Sequence, residues 1–184
     1  YYEPPSGYLA LCTSNLPAPE IALPGEHFNT ILYSGNSSTQ SLTGVGFSPA
    51  VVWIKSRTST DSPFLFDVER GVLEKLQPDN TGTEAAIANS LTSFDSDGFS
   101  VGNVSQVNDS ANTFAAWNWK AGTAFDPATA GTVTTGSGVS NADAGFSVVK
   151  YTGESGAMTV GHGLAQAPEM VVVKNLDTGS VWPM

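Results

Sequence analysis

The chain has 184 residues, of which 40% are hydrophobic and 13% charged, a composition typical of a globular protein with a buried core. Its net charge of −10 at pH 7 repels the phosphate backbone, and no cluster of Lys and Arg offsets that charge, so the composition excludes a nucleic-acid partner. No stretch approaches the roughly 20 continuous apolar residues that cross a membrane, and the first residues lack the pattern of a signal peptide. We therefore expect no membrane insertion.

The one cysteine, Cys12, cannot form a disulfide within this chain. It has no Cys or His neighbours at the spacing of a zinc site, and we therefore expect no structural metal and no cofactor. We predict that Cys12 is a small buried apolar residue rather than a reactive thiol. Because the chain starts at Tyr1 without a Met and stops abruptly at Met184, we expect it to be part of a longer protein.

Short runs of β-branched and aromatic residues, separated by turn residues that include 19 Gly and 11 Pro, run through the chain. This pattern is typical of an all-β sandwich or barrel. The predicted strands are, in chain order, Phe28–Tyr33, Ala50–Lys55, Phe64–Asp67, Phe99–Val101, Thr113–Lys120, Thr132–Thr135, Phe146–Tyr151 and Glu169–Lys174. The one helical candidate is Thr83–Ser90, although a single helical turn between strands fits the same residues.

Two sequence details predict local structure. In Thr113–Lys120 the alternation places Trp117 and Trp119 on one face of the strand, which we expect to be the core face. In "FDSDGF" the Asp97-Gly98 pair predicts a hairpin or a bulge, because Gly98 can take the positive φ of a tight turn. Asp95 and Asp97 also resemble half of a calcium loop, but the other oxygen ligands are missing, so we favour the turn.

Catalytic signatures are weak in this sequence. A retaining glycosidase needs two carboxyl groups about 5 Å apart, and Asp67 and Glu69 of "DVERG" come closest, sharing one face of a strand. We instead predict that Asp67 forms an ion pair with Arg70. The two histidines, His27 and His162, lie in neither a nucleophile motif nor a metal-binding spacing. We therefore expect a protein that is not an enzyme.

The chain repeats one piece of itself. "GVGFSPAVVWIK" (44–55) returns as "GHGLAQAPEMVVVK" (161–174), and Phe28–Tyr33 matches Phe146–Tyr151 at a spacing of 118 residues. Each repeat predicts a strand, a loop and a second strand that Pro introduces. A period near 120 residues is too long for a solenoid and fits a whole small β domain.

The repeat predicts tandem domains. Residues 26–122 would form a first β-sandwich, 145–184 the truncated start of a second copy, and 123–144 a linker or an edge hairpin.

Several segments resemble a known protein family in sequence. The stretches "FNTILYSGNSSTQSLTGVGFSPAVVWIKSR", "FLFDVERG", "NSLTSFDSDGFSVG" and "FAAWNWKAG" resemble a domain of unassigned function found in structural proteins of tailed bacteriophages, notably marine ones. That resemblance implies an antiparallel β-sandwich of the concanavalin-like jelly-roll type in tandem copies. Upstream, "YYEPPSGYLALCTSNLP" resembles the end of a SPRY-like sandwich domain, which would occupy residues 1–24.

The resemblance implies a structural or adhesive protein of the virion, in a fibre, the tail or the capsid surface. Its partners would be other virion proteins and copies of itself in a homo-oligomer, with a host-surface glycan as a further contact. The alternative is a carbohydrate-binding or glycan-cleaving module with a defined pocket. The loops 34–41 and 57–62 are candidate contact surfaces, although we favour plain solvated connections.

The aromatic side chains should separate these two hypotheses. Inward packing of Tyr33, Trp53, Trp117 and Trp119 would favour the structural one, whereas two of them in one exposed groove with acidic neighbours would favour glycan binding or cleavage. Asn36, Asn103 and Asn108 each open an Asn-x-Ser sequence, which we interpret as chance in a chain rich in Ser and Asn.

Overall fold

The computed structural model of the chain describes residues 5–9, 12 and 15–184. Within these residues the protein is all-β and its sheets are antiparallel. The strands are β1 (Phe28–Ser34), β2 (Gln40–Thr43), β3 (Val51–Ser56), β4 (Phe64–Asp67), β5 (Glu74–Lys75), β6 (Ala85–Ala86), β7 (Leu91–Asp95), β8 (Gly98–Val101), β9 (Thr113–Trp119), β10 (Thr123–Phe125), β11 (Gly136–Asn141) and β12 (Phe146–Tyr151). A 3-10 turn, Pro24–Glu26, precedes β1, and the helical turn α1 (Ser105–Asn108) lies between β8 and β9.

Two sheets enclose the hydrophobic core. One has the strand order β1-β9-β3-β4 and the other the order β2-β8-β7. Alternate residues of each strand point between the sheets, as expected for a sandwich. The core consists of Leu42, Val52, Ile54, Phe64, Phe66, Leu91, Phe99, Val101, Val107, Phe114 and Ala116. This arrangement confirms the all-β prediction, because strands of two antiparallel sheets supply the inner faces of the core.

Tyr33 closes one end of the core. Its ring stacks on Phe114 with centroids 5.1 Å apart, and its hydroxyl donates a hydrogen bond of 2.7 Å to the Val107 carbonyl. Burial raises the pKa of the Tyr33 hydroxyl far above its ordinary value, because the phenolate would lose its hydration. Tyr33 is therefore a structural side chain that links β1 to α1.

Most predicted strands are confirmed, and two have the predicted bounds: Phe64–Asp67 and Phe146–Tyr151. The strand predicted over Thr132–Thr135 is wrong, because the chain forms bends there and β11 starts at Gly136. The strand predicted over Glu169–Lys174 is also wrong, since that segment belongs to none of the sheets of the described chain.

The helix predicted over Thr83–Ser90 is wrong. Ala85–Ala86 instead pairs with Glu74–Lys75, and the Ile87 N–H donates to the Leu73 carbonyl, so the backbone groups that a helix needs are already bonded to another segment. The helical turn of the described chain is α1, and among the residues that the structure describes no helix is long and apolar enough to cross a membrane.

A third sheet follows the sandwich, with the order β10-β11-β12. Thus residues 123–144, predicted as a linker or an edge hairpin, supply β10 and β11, and β11 forms a hairpin with β12. The Ser137 hydroxyl of β11 donates to the Glu69 carboxylate, which ties this sheet to the sandwich. The domain bounds 26–122 and 145–184 stay predictions.

The N-terminal segment differs from its prediction at Cys12, which is exposed rather than buried. The exposure of Cys12 agrees with its surroundings. The described residues from 5 to 20 are all exposed, so they offer no core in which a thiol could pack. The prediction that residues 1–24 end a SPRY-like domain falls partly on residues 1–4, 10, 11, 13 and 14, which lie outside the described residues.

Candidate functional site

The strand β9 turns its tryptophans away from the core. Its inward residues are Phe114, Ala116 and Asn118, while Trp117 and Trp119 point to the opposite face of the sheet. The prediction that the indoles face the core is therefore wrong. Period-2 alternation shows which side chains share a face, but both faces of β9 carry apolar residues, so the pattern cannot show which face is buried.

Asn118 is buried, and the neighbouring backbone accepts hydrogen bonds from its amide nitrogen, whereas its Oδ1 has no partner among the described residues. Its amide nitrogen donates to the carbonyls of Asn29 at 3.2 Å and Ala116 at 3.1 Å. Asn29 in turn donates to the Val45 carbonyl at 3.0 Å. A polar side chain can occupy the interior when such partners exist, and these bonds add to the backbone pairing of β9 with β1.

The outward tryptophans form part of a larger surface, here called the outer aromatic face, which consists of Phe28, Trp53, Trp117, Trp119 and Phe146. The register of β1, β9 and β3 brings these residues together: Phe28 lies opposite Trp119, and Trp53 lies opposite Trp117. The ring centroids are 5.0 Å apart in the first pair and 5.8 Å in the second. Phe146 of β12 stacks on Trp119 at 6.0 Å, so this face also joins the third sheet.

Exposure of the outer aromatic face is partial. Phe28 is 41% exposed and Leu32, on the same face of β1, is 64% exposed, whereas Trp53, Trp117 and Trp119 are half-buried. The Trp53 Nε1 is buried and has no hydrogen-bond partner among the described residues, so it does not offer a donor to a ligand. The face can therefore contribute flat apolar contact and stacking, but no acid or base.

Lys55 lies at one end of this face. Its ammonium donates to the carbonyls of Ser56 at 2.7 Å and Ser59 at 3.0 Å, which orders the loop after β3. The loop 57–62, a predicted contact surface, is held by further bonds, including one of 2.8 Å between the Thr58 hydroxyl and Asn112. These bonds hold the loop against the strand ends on both sides of it.

The other predicted contact loop, 34–41, is held by a buried side chain. Asn108 accepts a 2.8 Å bond from the Asn36 N–H and donates to the Ser38 and Gly102 carbonyls at 2.5 and 2.7 Å. Because Asn108 is fully buried, it cannot serve as a glycan acceptor, which agrees with its Asn-x-Ser sequence being due to chance. No local sequence signal marks Asn108, since its partners lie far away in the chain.

An open cleft of about 420 Å³ lies beside His27, the residue immediately before β1. The residues that line it are Glu20, Ile21, Ala22, Leu23, Glu26, His27, Ala142, Asp143, Ala165 and Gln166. His27 Nδ1 lies 2.8 Å from the Asn141 amide nitrogen. Because an amide nitrogen can only donate, His27 Nδ1 is the acceptor. His162 is used differently, because its Nδ1 accepts the Leu164 N–H at 3.1 Å. The two histidines therefore have separate local bonds and do not form one site.

The predicted ion pair between Asp67 and Arg70 is confirmed. Arg70 Nε lies 2.5 Å from Asp67 Oδ2, and its other nitrogens donate to the carbonyls of Glu74 and Leu65 at 2.8 and 2.9 Å. Glu69 does not share a strand face with Asp67, because β4 ends at Asp67 and Glu69 turns outward to Ser137. The pair of acids that most resembled a glycosidase is thus separated.

Asp95 and Asp97 also have protein partners. Asp95 accepts hydrogen bonds of 2.8 Å from the hydroxyls of Ser93 and Ser100, across the β7–β8 hairpin that the sequence predicted. Asp97 accepts the N–H groups of Gly44 at 3.1 Å and Gly46 at 2.6 Å. Within residues 5–9, 12 and 15–184, no three His, Cys, Asp or Glu side chains are grouped to hold a metal ion.

Asp97 should make the stability of the folded protein depend on pH in the acidic range. The backbone N–H of Gly46, and then that of Gly44, lower the pKa of its carboxyl group, because they favour the charged form. A lowered pKa in the folded state gives stability that is present above the ordinary Asp value of about 3.9 and is lost as the pH falls through the folded pKa. We expect Asp97→Asn to destabilise the protein near neutral pH, with the difference from the parent shrinking below about pH 4.

Urea unfolding at several pH values measures this difference. Ser96→Ala, in the same turn, keeps the carboxylate and serves as the control, since it should leave the acid dependence unchanged. An Asp97→Asn difference that stays constant down to the lowest accessible pH would contradict the role of these two bonds.

Comparison with known proteins places the chain in a family without assigning a function. A family described as a domain of unknown function (DUF7483) matches residues 23–184, a range that includes both sequence repeats. No curated protein matches the chain. No solved structure matches it either. Because the match covers most of the chain, the protein belongs to the DUF7483 family.

Proposed function

We propose that this protein is a structural and adhesive module of a tailed-bacteriophage virion, built of β-sandwich units of the jelly-roll type in tandem. The outer aromatic face is the observation that carries its binding role, because it presents ring surfaces of β1, β3 and β9 on one side of a rigid sheet. The resemblance of several segments to phage structural proteins supplies the virion context. The module would act by contact and assembly. It would form a homo-oligomer and bind other virion proteins.

The partners of Asp67, Glu69 and Asp97 support binding over catalysis at these three carboxylates. Asp67 is bonded to a buried arginine, Glu69 to a hydroxyl of the third sheet, and Asp97 to backbone N–H groups. General acid–base catalysis needs carboxyl groups that reach a substrate, and a retaining mechanism needs two of them about 5 Å apart. Carboxylates whose oxygens already have partners in the fold are poor candidates for that role.

The virion assignment can be tested on purified particles of the phage that encodes the chain. Peptides of residues 28–122 should be detected in particles purified on a density gradient, and an antibody against the sandwich should decorate one defined part of the particle. Antibody absorbed with the purified protein is the control. Purified particles that lack the chain would contradict the assignment.

Glycan binding is the second candidate, favoured by the outward Trp53 and Trp117 pair. Two partly exposed indoles on one face can stack against the apolar faces of sugar rings. We expect surface polysaccharide from the phage host to change the intrinsic tryptophan fluorescence on titration, and Trp117→Ala to weaken binding about ten-fold or more. Trp182→Ala is the matched control, because Trp182 lies away from this face and bonds to the Asn80 carbonyl. Equal binding by both variants would exclude the face as the glycan site.

A further inference from the structure

The second repeat reproduces the hydrogen bonds of the first. In the loop after β3, the Ser56 hydroxyl accepts the N–H groups of the residues two and three positions later, at 3.4 and 3.0 Å. Asn175 lies 119 positions further along, and its side-chain oxygen accepts the equivalent two N–H groups, both at 2.9 Å. The lysines just before them, Lys55 and Lys174, each donate to carbonyls of the loop that follows. The two repeats therefore share these side-chain hydrogen bonds as well as a similar sequence.

The same shift relates the strand pairing. Ile54 of β3 lies opposite Phe64 of β4 in the first repeat. In the second, the Val173 N–H donates to the Pro183 carbonyl at 3.1 Å, and both positions are 119 residues later. This one bond matches the register of the β3–β4 hairpin, although residues 169–184 form no strand.

One edge of the second β3-like segment is open. In the first repeat β3 lies between β9 and β4. The Arg57 N–H bond to the Thr113 carbonyl shows that the odd-numbered residues of β3 face β9, since antiparallel partners alternate between the two edges. Their equivalents in residues 170–174 have no strand beside them in the described chain.

The apolar residues of this segment are exposed, with Met170 at 74%, Val171 at 54%, Val172 at 47% and Val173 at 38%. The equivalent residues of β3 are all buried except Trp53, which is half-buried. A run of four exposed apolar residues with an unpaired backbone edge is a template for another strand.

The strand β12 leaves the matching edge open. Bonds from Gly35 N–H to the Asn112 carbonyl and from Lys120 N–H to the His27 carbonyl show that odd-numbered residues of β1 face β9. β12 repeats β1 at a shift of 118, so its odd-numbered residues are the equivalents. The Thr152 N–H bond to the Thr135 carbonyl shows that even-numbered residues of β12 face β11. The edge that β1 uses for β9 is therefore unoccupied in β12, which is an outermost strand of its sheet.

We propose that β12 and residues 170–174 accept one antiparallel strand of the β9 type, which binds between them and extends the β10-β11-β12 sheet to residues 170–174. This proposal rests on the tandem arrangement in the proposed function. The inward positions of the two accepting segments are Val149, Tyr151, Val171 and Val173, by equivalence with β1 and β3. The incoming strand must therefore have uncharged residues at the alternate positions that face inward, as β9 does with Phe114, Ala116 and Asn118.

A synthetic peptide of residues 112–122 is the probe. We expect it to bind the full chain and to slow amide hydrogen exchange about ten-fold or more at odd-numbered residues of β12 and at residues 170, 172 and 174. Val172→Pro removes the N–H that faces the incoming strand and keeps the Val173 bond to Pro183, so it should abolish peptide binding. Val181→Ser is the control for loss of exposed apolar surface, since Val181 is 69% exposed and lies outside the segment.

The outcomes are distinguishable. Exchange in β9 must stay unchanged, because a peptide that displaced β9 would pair with β1 and β3 in its place and leave the β9 amides exposed. A peptide of the same residues in scrambled order should not bind. Absence of protection at both accepting segments, or self-association that is lost with Val181→Ser and leaves the amides unprotected, overturns the proposal. The experiment does not involve particles, so its result is independent of the virion test.

Discussion

Replacing Arg70 with Met is expected to lower the free energy of unfolding by about 3–5 kcal/mol, because the substitution leaves one partner of a buried ion pair unpaired. The Arg70 side chain is 4% exposed and that of Asp67 is 10% exposed. Without the guanidinium, the Asp67 charge and the carbonyls of Leu65 and Glu74 lose donors that water cannot easily replace. Urea unfolding followed by circular dichroism measures the change.

Two further variants isolate the cause. Arg57→Met removes an exposed arginine one residue beyond β3 and should change stability by less than about 0.5 kcal/mol. Adding Asp67→Asn to Arg70→Met should recover only part of the loss, since the neutral amide removes one uncompensated charge, whereas Glu84, whose carboxylate lies 3.6 Å from Arg70 in the parent, keeps its own. An Arg70→Met protein as stable as the Arg57→Met protein would show that the buried pair contributes little.

Local patterns predicted this ion pair and most of the strands. Asp67 and Arg70 are three residues apart at the end of a strand, so the sequence alone places them within reach of each other. Strand bounds were predictable where an apolar run is enclosed by turn residues, as for Phe64–Asp67. The predicted strand Thr132–Thr135 failed because the Gly, Thr and Ser residues of that region do not distinguish one register from another.

Features that depend on distant partners could not be predicted. Asn118 is buried, and its amide nitrogen donates to the Asn29 carbonyl, 89 positions earlier in the chain. The pairing of β9 with β1 and β3 orients Trp117 and Trp119, so the candidate site emerges only from three strands together. β5 and β6 have two residues each and exist because the chain folds back on itself, and no propensity marks them.

The tryptophan arrangement supports contact without selecting one partner. Tyr33 packs inward, as a structural side chain would, whereas Trp53, Trp117 and Trp119 point outward, as a binding surface requires. Because Phe146 covers part of Trp119, the outer aromatic face already serves one interface between sheets. A surface that joins consecutive sheets in one chain is suited to join neighbouring modules in an assembly, which is why the virion proposal precedes the glycan proposal.

Gly98→Ala is expected to lower the free energy of unfolding by about 3–5 kcal/mol, through steric conflict rather than lost contacts. A Cβ atom at this position would lie 1.9 Å from the Leu42 carbonyl oxygen, and φ is +153°, which L side chains rarely adopt. Relief of the clash requires β2 to move from β8, where Thr43 lies opposite Gly98, and the bonds from Asp97 to the Gly44 loop would be disturbed as well. The sequence predicted a turn glycine here, but the close approach of β2 makes the glycine necessary.

Thermal and urea unfolding of Gly98→Ala, compared with Gly122→Ala, tests this steric argument. A Cβ on Gly122 would meet no heavy atom within 4 Å, so that substitution should be neutral or slightly stabilising by restricting the unfolded chain. If the clash is the cause, Gly98→Ser should be at least as damaging as Gly98→Ala, because every side chain starts with the same Cβ. Equal stability of the Gly98 and Gly122 variants would mean that β2 and β8 are not packed as closely as their register requires, and the sandwich would then lack the close pairing on which its second sheet depends.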